Sequence, residues 1–208
     1  MKSKKGIILL IVIIILIVMG ILMVVIPKIQ LNKAVNYLKD GEYKAAYSYI
    51  NSKNNEENKV IVKELITTIF CDRASSGIEK VGNIAQQCTN VVQKIDRDDI
   101  DCTLDDSINI DVQALGNYIL LEDEISKDMI SNELQESYTT YFNILKYVKE
   151  NFSNVLEHIE DDDFISHVSS LSIDMNKISN DCFSYADNHK FKSKTQDIYK
   201  DIKGYIVK

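Results

Sequence analysis

Three histidines, four cysteines and a dense run of aspartates are the side chains in this sequence with chemical potential. His158, with Glu157, Asp161, Asp162 and His167, would be the place for a metal, since imidazole and carboxylate are common ligands. Ligands must converge in a fixed geometry, and these spacings match no standard helical ligand pair. The acidic run 96–107 (DRDDIDCTLDDS) would suit calcium, a hard cation that takes oxygen ligands. A calcium loop of the helix-flanked kind needs oxygens at positions 1, 3 and 5 and a glycine at 6. Counted from Asp96, position 5 is Ile100; counted from Asp99, positions 5 and 6 are Thr103 and Leu104. The motif fails, and only loose attraction of the ion by exposed carboxylates is left. No glycine-rich phosphate loop, Gly-x-Ser-x-Gly elbow or His-Glu-x-x-His occurs. A Cys or Ser paired with His158, His167 or His189 would have to be assembled from distant segments. The expectation is therefore no catalytic residue, no metal, no cofactor and no enzyme.

The cysteines (Cys71, Cys88, Cys102, Cys182) form no Cys-x-x-Cys, and Cys88 and Cys182 fall on apolar helix seams. Buried small hydrophobes are their plain reading. Oxidation could pair some of them outside the cytoplasm, but connectivity is not legible from spacing.

What must position these residues begins with a membrane anchor. Residues 7–26 (IILLIVIIILIVMGILMVVI) carry no charge over twenty positions, and a helix rising about 1.5 Å per residue then matches a hydrocarbon core about 30 Å thick. Lys2, Lys4 and Lys5 precede the stretch, and cytoplasmic flanks retain positive charge. The expected topology is a cytoplasmic end over 1–6, a bilayer-spanning helix over 7–26, and everything after Pro27 outside. A cleaved signal would have a shorter apolar core and small residues at its end; Val24-Val25-Ile26-Pro27-Lys28 provides no such site. Gly20 stands without a second small residue four positions away, so close glycine-mediated pairing in the membrane is not indicated.

With a single proline, no tryptophan and few glycines, the body lacks the turn residues of a β-sandwich. Its heavy use of Ile, Asn and Lys is that of an AT-rich, bacterial genome. The expected fold is all-α: one transmembrane helix, then an extracytoplasmic helical bundle made of a helical segment 28–95, an acidic loop 96–107 and helices over 108–208.

Helical periodicity supports this. Val62, Leu65, Ile66, Ile69 and Phe70 form one apolar stripe, and Ile78, Val81, Ala85, Cys88, Val92 and Ile95 a second, with Ser75-Ser76-Gly77 read as a break between them. A helix from Ile108 to Leu121 turns Val112, Leu115 and Ile119 inward, with Gly116 its weak point. Leu134, Tyr138, Tyr141, Leu145, Val148, Phe152, Val155 and Ile159 step by 4 and 3 in alternation, as do Phe164, Val168, Leu171, Met175, Ile178, Cys182 and Tyr185. Two such seams around Glu160–Asp163 predict an antiparallel helical hairpin, with Lys146 on its outer face. The aspartates suit a helix start, where carboxylates meet unpaired amides. A last helix is expected over 195–206.

Residues 34–50 (AVNYLKDGEYKAAYSYI) resemble the middle of a tetratricopeptide repeat: Tyr37, Gly41, Tyr43 and Ala46 occupy the positions of its aromatic, turn-glycine, aromatic and small residues. The resemblance implies one helical hairpin of that style, with an ordinary helix-turn-helix that has no peptide-binding role as the alternative. The pattern does not recur downstream, and a solenoid usually needs at least three units. Tyr37, Tyr43 and Tyr49 are the candidate partner contacts, Tyr49 first, since Tyr47 and Ile50 have core spacing and Tyr49 points elsewhere. The competing placement packs Tyr49 near Phe70.

Charge is segregated. Residues 95–163 carry nineteen acidic side chains against Arg97, Lys127, Lys146 and Lys149, and the chain has a net charge of −7. That balance excludes nucleic acid as a natural partner. The Lys-rich last twenty residues either touch anionic lipid or wall polymer, or balance the acidic region. The functional expectation is a membrane-anchored scaffold or accessory subunit of an envelope assembly. A ligand-binding sensor subunit acting through a partner membrane protein is the alternative, needing an enclosed pocket; an extracytoplasmic hydrolase is a third, needing convergent polar groups.

Overall fold

The computed structural model describes residues 4–95, 103–152, 162–188 and 193–206. Among them there is no strand. The helices are α1 (Lys4–Lys39), α2 (Tyr43–Asn51), α3 (Glu56–Ile95), α4 (Thr103–Ala114), the single turns α5 (Gly116–Ile119) and α6 (Leu121–Glu124), α7 (Gln135–Asn151), α8 (Asp162–Asn188) and α9 (Ser193–Ile206). Two 3-10 turns, Lys127–Met129 and Asn132–Leu134, precede α7. The chain divides into two compact units, residues 1–62 with 202–208, and residues 63–201.

The first unit is built on α1. Its segment Ile11–Lys39 is long and apolar enough to cross a membrane, and the window that meets that test buries none of its residues within the protein. The helix does not stop at Pro27, although proline withholds the N–H that would bond the preceding turn. It runs on until Gly41, whose φ of +78° suits a residue without Cβ. There the Gly41 N–H donates to the Leu38 carbonyl and the Glu42 N–H to the Tyr37 carbonyl, at 3.2 and 2.8 Å. These are the two bonds of a Schellman ending, which satisfy the last carbonyls of α1 and reverse the chain. Helix α2 then packs back on α1. Ala34, Leu38, Ala46 and Ile50 are fully buried and Leu31 and Tyr43 nearly so; the small residues let the helices approach. Asn55 caps α3 through Oδ1, which accepts the Asn58 N–H at 2.9 Å. The buried Asn58 side chain donates to the Pro27 carbonyl at 2.8 Å, tying the start of α3 to α1.

The second unit corrects one sequence expectation. Helix α3 is continuous through Ser75-Ser76-Gly77. Ser75 and Ser76 turn their hydroxyls back onto the Cys71 and Asp72 carbonyls, a local bond that a helix accommodates. Gly77 is buried because the Tyr141 phenol fills the space a Cβ would take. With no break, the stripe keeps its register: after Phe70 the buried positions are Ala74, Gly77, Val81, Ile84, Cys88 and Val91. The expected second seam was one residue out at Ile78 and Ala85, which are only half-buried; Val92 and Ile95 have no described side chain.

Of the acidic loop, residues 96–102 lie outside the described residues, whereas 103–107 are the first turns of α4 rather than loop. The helix expected over 108–121 is interrupted at Leu115–Gly116. The N–H of Leu115 bonds the Val112 carbonyl and that of Tyr118 the Leu115 carbonyl, tighter steps than an α-helix makes. Ile108, Val112 and Leu115 are buried; Ile119 is half-buried.

Helices α7 and α8 pack on each other, as the seams require. Leu134, Tyr138, Tyr141, Leu145, Val148 and Phe152 are all buried, as are Leu171, Met175, Ile178, Cys182 and Tyr185. Val155, Ile159 and the link between the helices lie outside the described residues. The stripe on α7 is wider than the seam, because Phe142 and Ile144 are buried too. Phe70 sits among Tyr138, Tyr141 and Phe142, with ring centroids 5.3, 5.8 and 6.4 Å away. Tyr138 keeps its hydroxyl satisfied by donating to the Ile125 carbonyl at 2.6 Å.

Lys146, expected on the outer face, keeps its side chain substantially exposed, and its ammonium pairs with Glu122 at 2.5 Å, tying α7 to α6. Helix α9 is likewise docked through its polar face: Thr195 donates to Glu64 at 3.1 Å, and the Tyr199 hydroxyl to the Asp72 carboxylate. Burial and that carboxylate push the Tyr199 phenol far above its ordinary range.

Candidate interaction surface

The expected contact tyrosines part company in the structure. Tyr43 opens α2 facing inward and is 4% exposed, so it belongs to the core between α1 and α2. Tyr37 and Tyr49 are half-buried and meet edge to face, with centroids 6.0 Å apart. Tyr37 is therefore an aromatic neighbour of Tyr49.

Two lysines complete the group. Lys33 Nζ stands 4.9 Å from the Tyr49 ring centroid and 5.9 Å from that of Tyr37. Lys53 Nζ stands 4.7 Å from the Tyr49 centroid. A ring face carries partial negative charge and attracts an ammonium, contributing about 0.5–1 kcal/mol at exposed sites. Helical spacing makes the arrangement local: Lys33 and Tyr37 are four apart on α1, as are Tyr49 and Lys53 at the end of α2. Those spacings are legible in the sequence, whereas the reach of Lys33 to the Tyr49 ring depends on how α2 packs on α1. In the same unit Lys39 lies 5.3 Å from the Tyr205 centroid.

The result is an amphipathic surface of aromatic edges and ammonium groups on a chain of net negative charge. Such a surface suits a partner that brings apolar side chains and carboxylates together. A groove of about 550 Å³ lies elsewhere on the unit, between Met19, Leu22, Met23 and Ile26 of α1 and Asn54–Asn55. Most of its wall belongs to the apolar segment of α1.

Of the residues that could ligate a metal across the α7–α8 turn, Glu157 and Asp161 lie outside the described residues. His158 and His189 lie outside the described residues. His167 stacks on Tyr147 at 4.7 Å, bridging α8 and α7. Among the described residues no three of His, Cys, Asp and Glu converge as metal ligands would. A polar cluster links α3 to α4: Asp111 accepts from Lys80 at 2.5 Å and from Gln87 at 3.0 Å. The Lys80 hydrogen bond holds the Asp111 carboxyl below its ordinary range, against the opposing effect of burial and with help from Gln87.

No protein-family model, curated protein or solved structure matches the chain. Function must be argued from the residues themselves.

Proposed function

We propose that this chain is a membrane-anchored helical interaction protein, an accessory or scaffold subunit of an envelope assembly. In this reading α1 spans the bilayer with its N-terminal end in the cytoplasm, and the helical body lies outside. Lysines 2, 4 and 5 ahead of the apolar stretch support that orientation. The hairpin of α1 and α2 serves as a tetratricopeptide-like module, and the body behind it packs as a helical bundle. The observation that carries the proposal is the Tyr37–Tyr49 pair flanked by Lys33 and Lys53, half-exposed on the hairpin that directly follows the apolar segment. Binding energy at protein interfaces concentrates in such aromatic anchors.

Two measurements on the full-length protein test this. Protease added to spheroplasts should digest the body and leave a fragment containing residues 7–26; a protected body overturns the orientation. Replacing Tyr49 with Ala removes one edge-to-face contact and two cation–π contacts, about 1.5–3.5 kcal/mol in all. The melting temperature should fall by roughly 3–14 °C with the protein still folded, while an envelope protein is lost from co-purification in mild detergent. A wild-type protein that retains no partner, yet melts at a higher temperature with a small molecule, refutes the scaffold reading in favour of a sensor.

A further inference from the structure

The groove beside the last turns of the apolar segment lies wholly within the first unit and has two unlike halves. Its wall is Met19, Leu22, Met23, Ile26 and Pro27, which share one face of α1 at steps of three and four. Its polar side is Gln30 of α1 with Asn54 and Asn55 of the turn into α3, and no charged side chain lines it. The Asn58 bond to the Pro27 carbonyl holds that turn against α1. Asn55 Oδ1 is taken by the Asn58 N–H, which leaves Nδ2 to donate. Positive charge stands next to the polar side. Lys33 is one turn past Gln30 on α1, and Lys53 immediately precedes Asn54. Both ammoniums gather at the Tyr49 ring, and neither pairs with a carboxylate among the described residues. Glu56, the first acid of α3, is paired with Lys59 at 2.7 Å. We propose that this groove holds a phospholipid with an anionic headgroup, drawn from the leaflet that α1 crosses next to the body. The inference rests on α1 spanning a bilayer, but not on which side of it the body lies.

The levels along α1 agree with such an occupant. Met19 lies about 10 Å deeper than Ile26, and Gln30 about 6 Å beyond it. Headgroups add about 5–7 Å on each side of a hydrocarbon core about 30 Å thick. The apolar wall therefore runs beside acyl chains, and the three amides stand at the level of glycerol and phosphate. Lys33 lies about 10 Å beyond Ile26, and its flexible stem lets the ammonium reach back toward that layer. The groove, about 550 Å³, falls within the roughly 300–1,000 Å³ of small-molecule sites.

An amphiphile answers both halves at once. One chain covers the methionine and leucine wall, ester and phosphate oxygens accept from the amide N–H groups, and the phosphate charge meets two ammoniums. A polar peptide would leave the wall uncovered. A wholly apolar helix would strip water from three amides and return no hydrogen bond, which is costly.

The sequence contains no tryptophan, so single reporters can be placed in the full-length protein. Met23→Trp puts one at the groove, and Val24→Trp puts one at nearly the same depth outside it; the native side chains are 72% and 71% exposed. Each variant is reconstituted in vesicles of phosphatidylcholine and phosphatidylglycerol, with bromine on the chains of one lipid or the other. Quenching then gives the relative affinity of the two lipids at each position. The Met23→Trp reporter should prefer phosphatidylglycerol by about fivefold or more, the contribution of one lysine at an anionic surface. The Val24→Trp reporter should show no preference. Adding Asn54→Asp with Asn55→Asp, which keeps a side-chain acceptor to cap α3, should abolish the preference, as should Lys33→Gln with Lys53→Gln. An equal response to the two lipids at both positions overturns the site, as does a preference that either pair of substitutions leaves intact. A Met23→Trp reporter shielded from both brominated lipids, with Val24→Trp quenched, overturns it in favour of a partner helix seated in the groove. A Val24→Trp reporter quenched by neither lipid overturns the membrane-spanning reading, and the lipid site with it.

Discussion

Gly77 offers the sharpest test of the continuous α3. A Cβ added there would sit 3.0 Å from Cζ and 3.1 Å from Cε2 of Tyr141, and closer still to its hydroxyl. The ring has little room to move: it is 1% exposed and packs against Phe142 and Phe70 at 5.0 and 5.8 Å. Overpacking of this kind costs about 1–3 kcal/mol, while replacing a helical Gly with Ala returns about 1 kcal/mol. Gly77→Ala should therefore destabilise by up to about 2 kcal/mol, lowering the melting temperature by up to roughly 8 °C for a chain of this size. Gly82, on the same helix with nothing within 4 Å of an added Cβ, is the control; Gly82→Ala should raise stability by about 1 kcal/mol. Tyr141→Phe removes the atom in the closest contact and forfeits only a long 3.5 Å bond to the Arg73 carbonyl. The double variant should thus recover part of the loss, with a coupling of about 1 kcal/mol. Thermal melts of the four variants in detergent, followed by far-UV circular dichroism, give the cycle. Gly77→Ala behaving like Gly82→Ala, or a loss that Tyr141→Phe leaves untouched, would refute the packing argument and restore a helix break at Ser75–Gly77.

Two further outcomes follow from the second unit. Leu145 is fully buried on α7 and Asn143 exposed beside it; Leu145→Asp should lose more than the roughly 2–5 kcal/mol of truncation, because it adds an unpaired buried charge. Asn143→Asp should stay within about 0.5 kcal/mol, and equal melting temperatures for the two would dismiss the α7 seam. Asp111 has its pKa lowered in the fold from an ordinary value of 3.8, so its stabilising effect is fully present above that value and is lost as pH falls through the lower folded value. The gap in melting temperature between wild type and Asp111→Asn should accordingly be widest at neutral pH and close below pH 3.8; a gap that persists into strong acid would show that the Lys80–Asp111 pair is not its source.

Much of the architecture was legible because helices write their buried face into sequence at steps of three and four. The long apolar helix, the Gly41 turn and the α7 and α8 seams needed no knowledge of neighbours, since twenty uncharged residues, a glycine at a helix end and an unbroken alternation each constrain the backbone locally. Ser75-Ser76-Gly77 misled because the same three residues are a turn signal when exposed and a packing notch when a partner ring fills them. That ring, Tyr141, is 64 positions away, and no local pattern announces it.

The candidate surface divides the same way. Sequence by itself determined that tyrosines crowd the hairpin and that lysines flank them at helical spacing. Only the tertiary structure decided that Tyr43 turns inward, that Tyr37 and Tyr49 meet edge to face, and that Lys146 is held by Glu122. The physical reason is that periodicity assigns a residue to a face of its own helix, whereas a contact depends on how far two helices have slid and turned against each other. That relation is set by the summed packing of the whole core, to which no short segment holds the key.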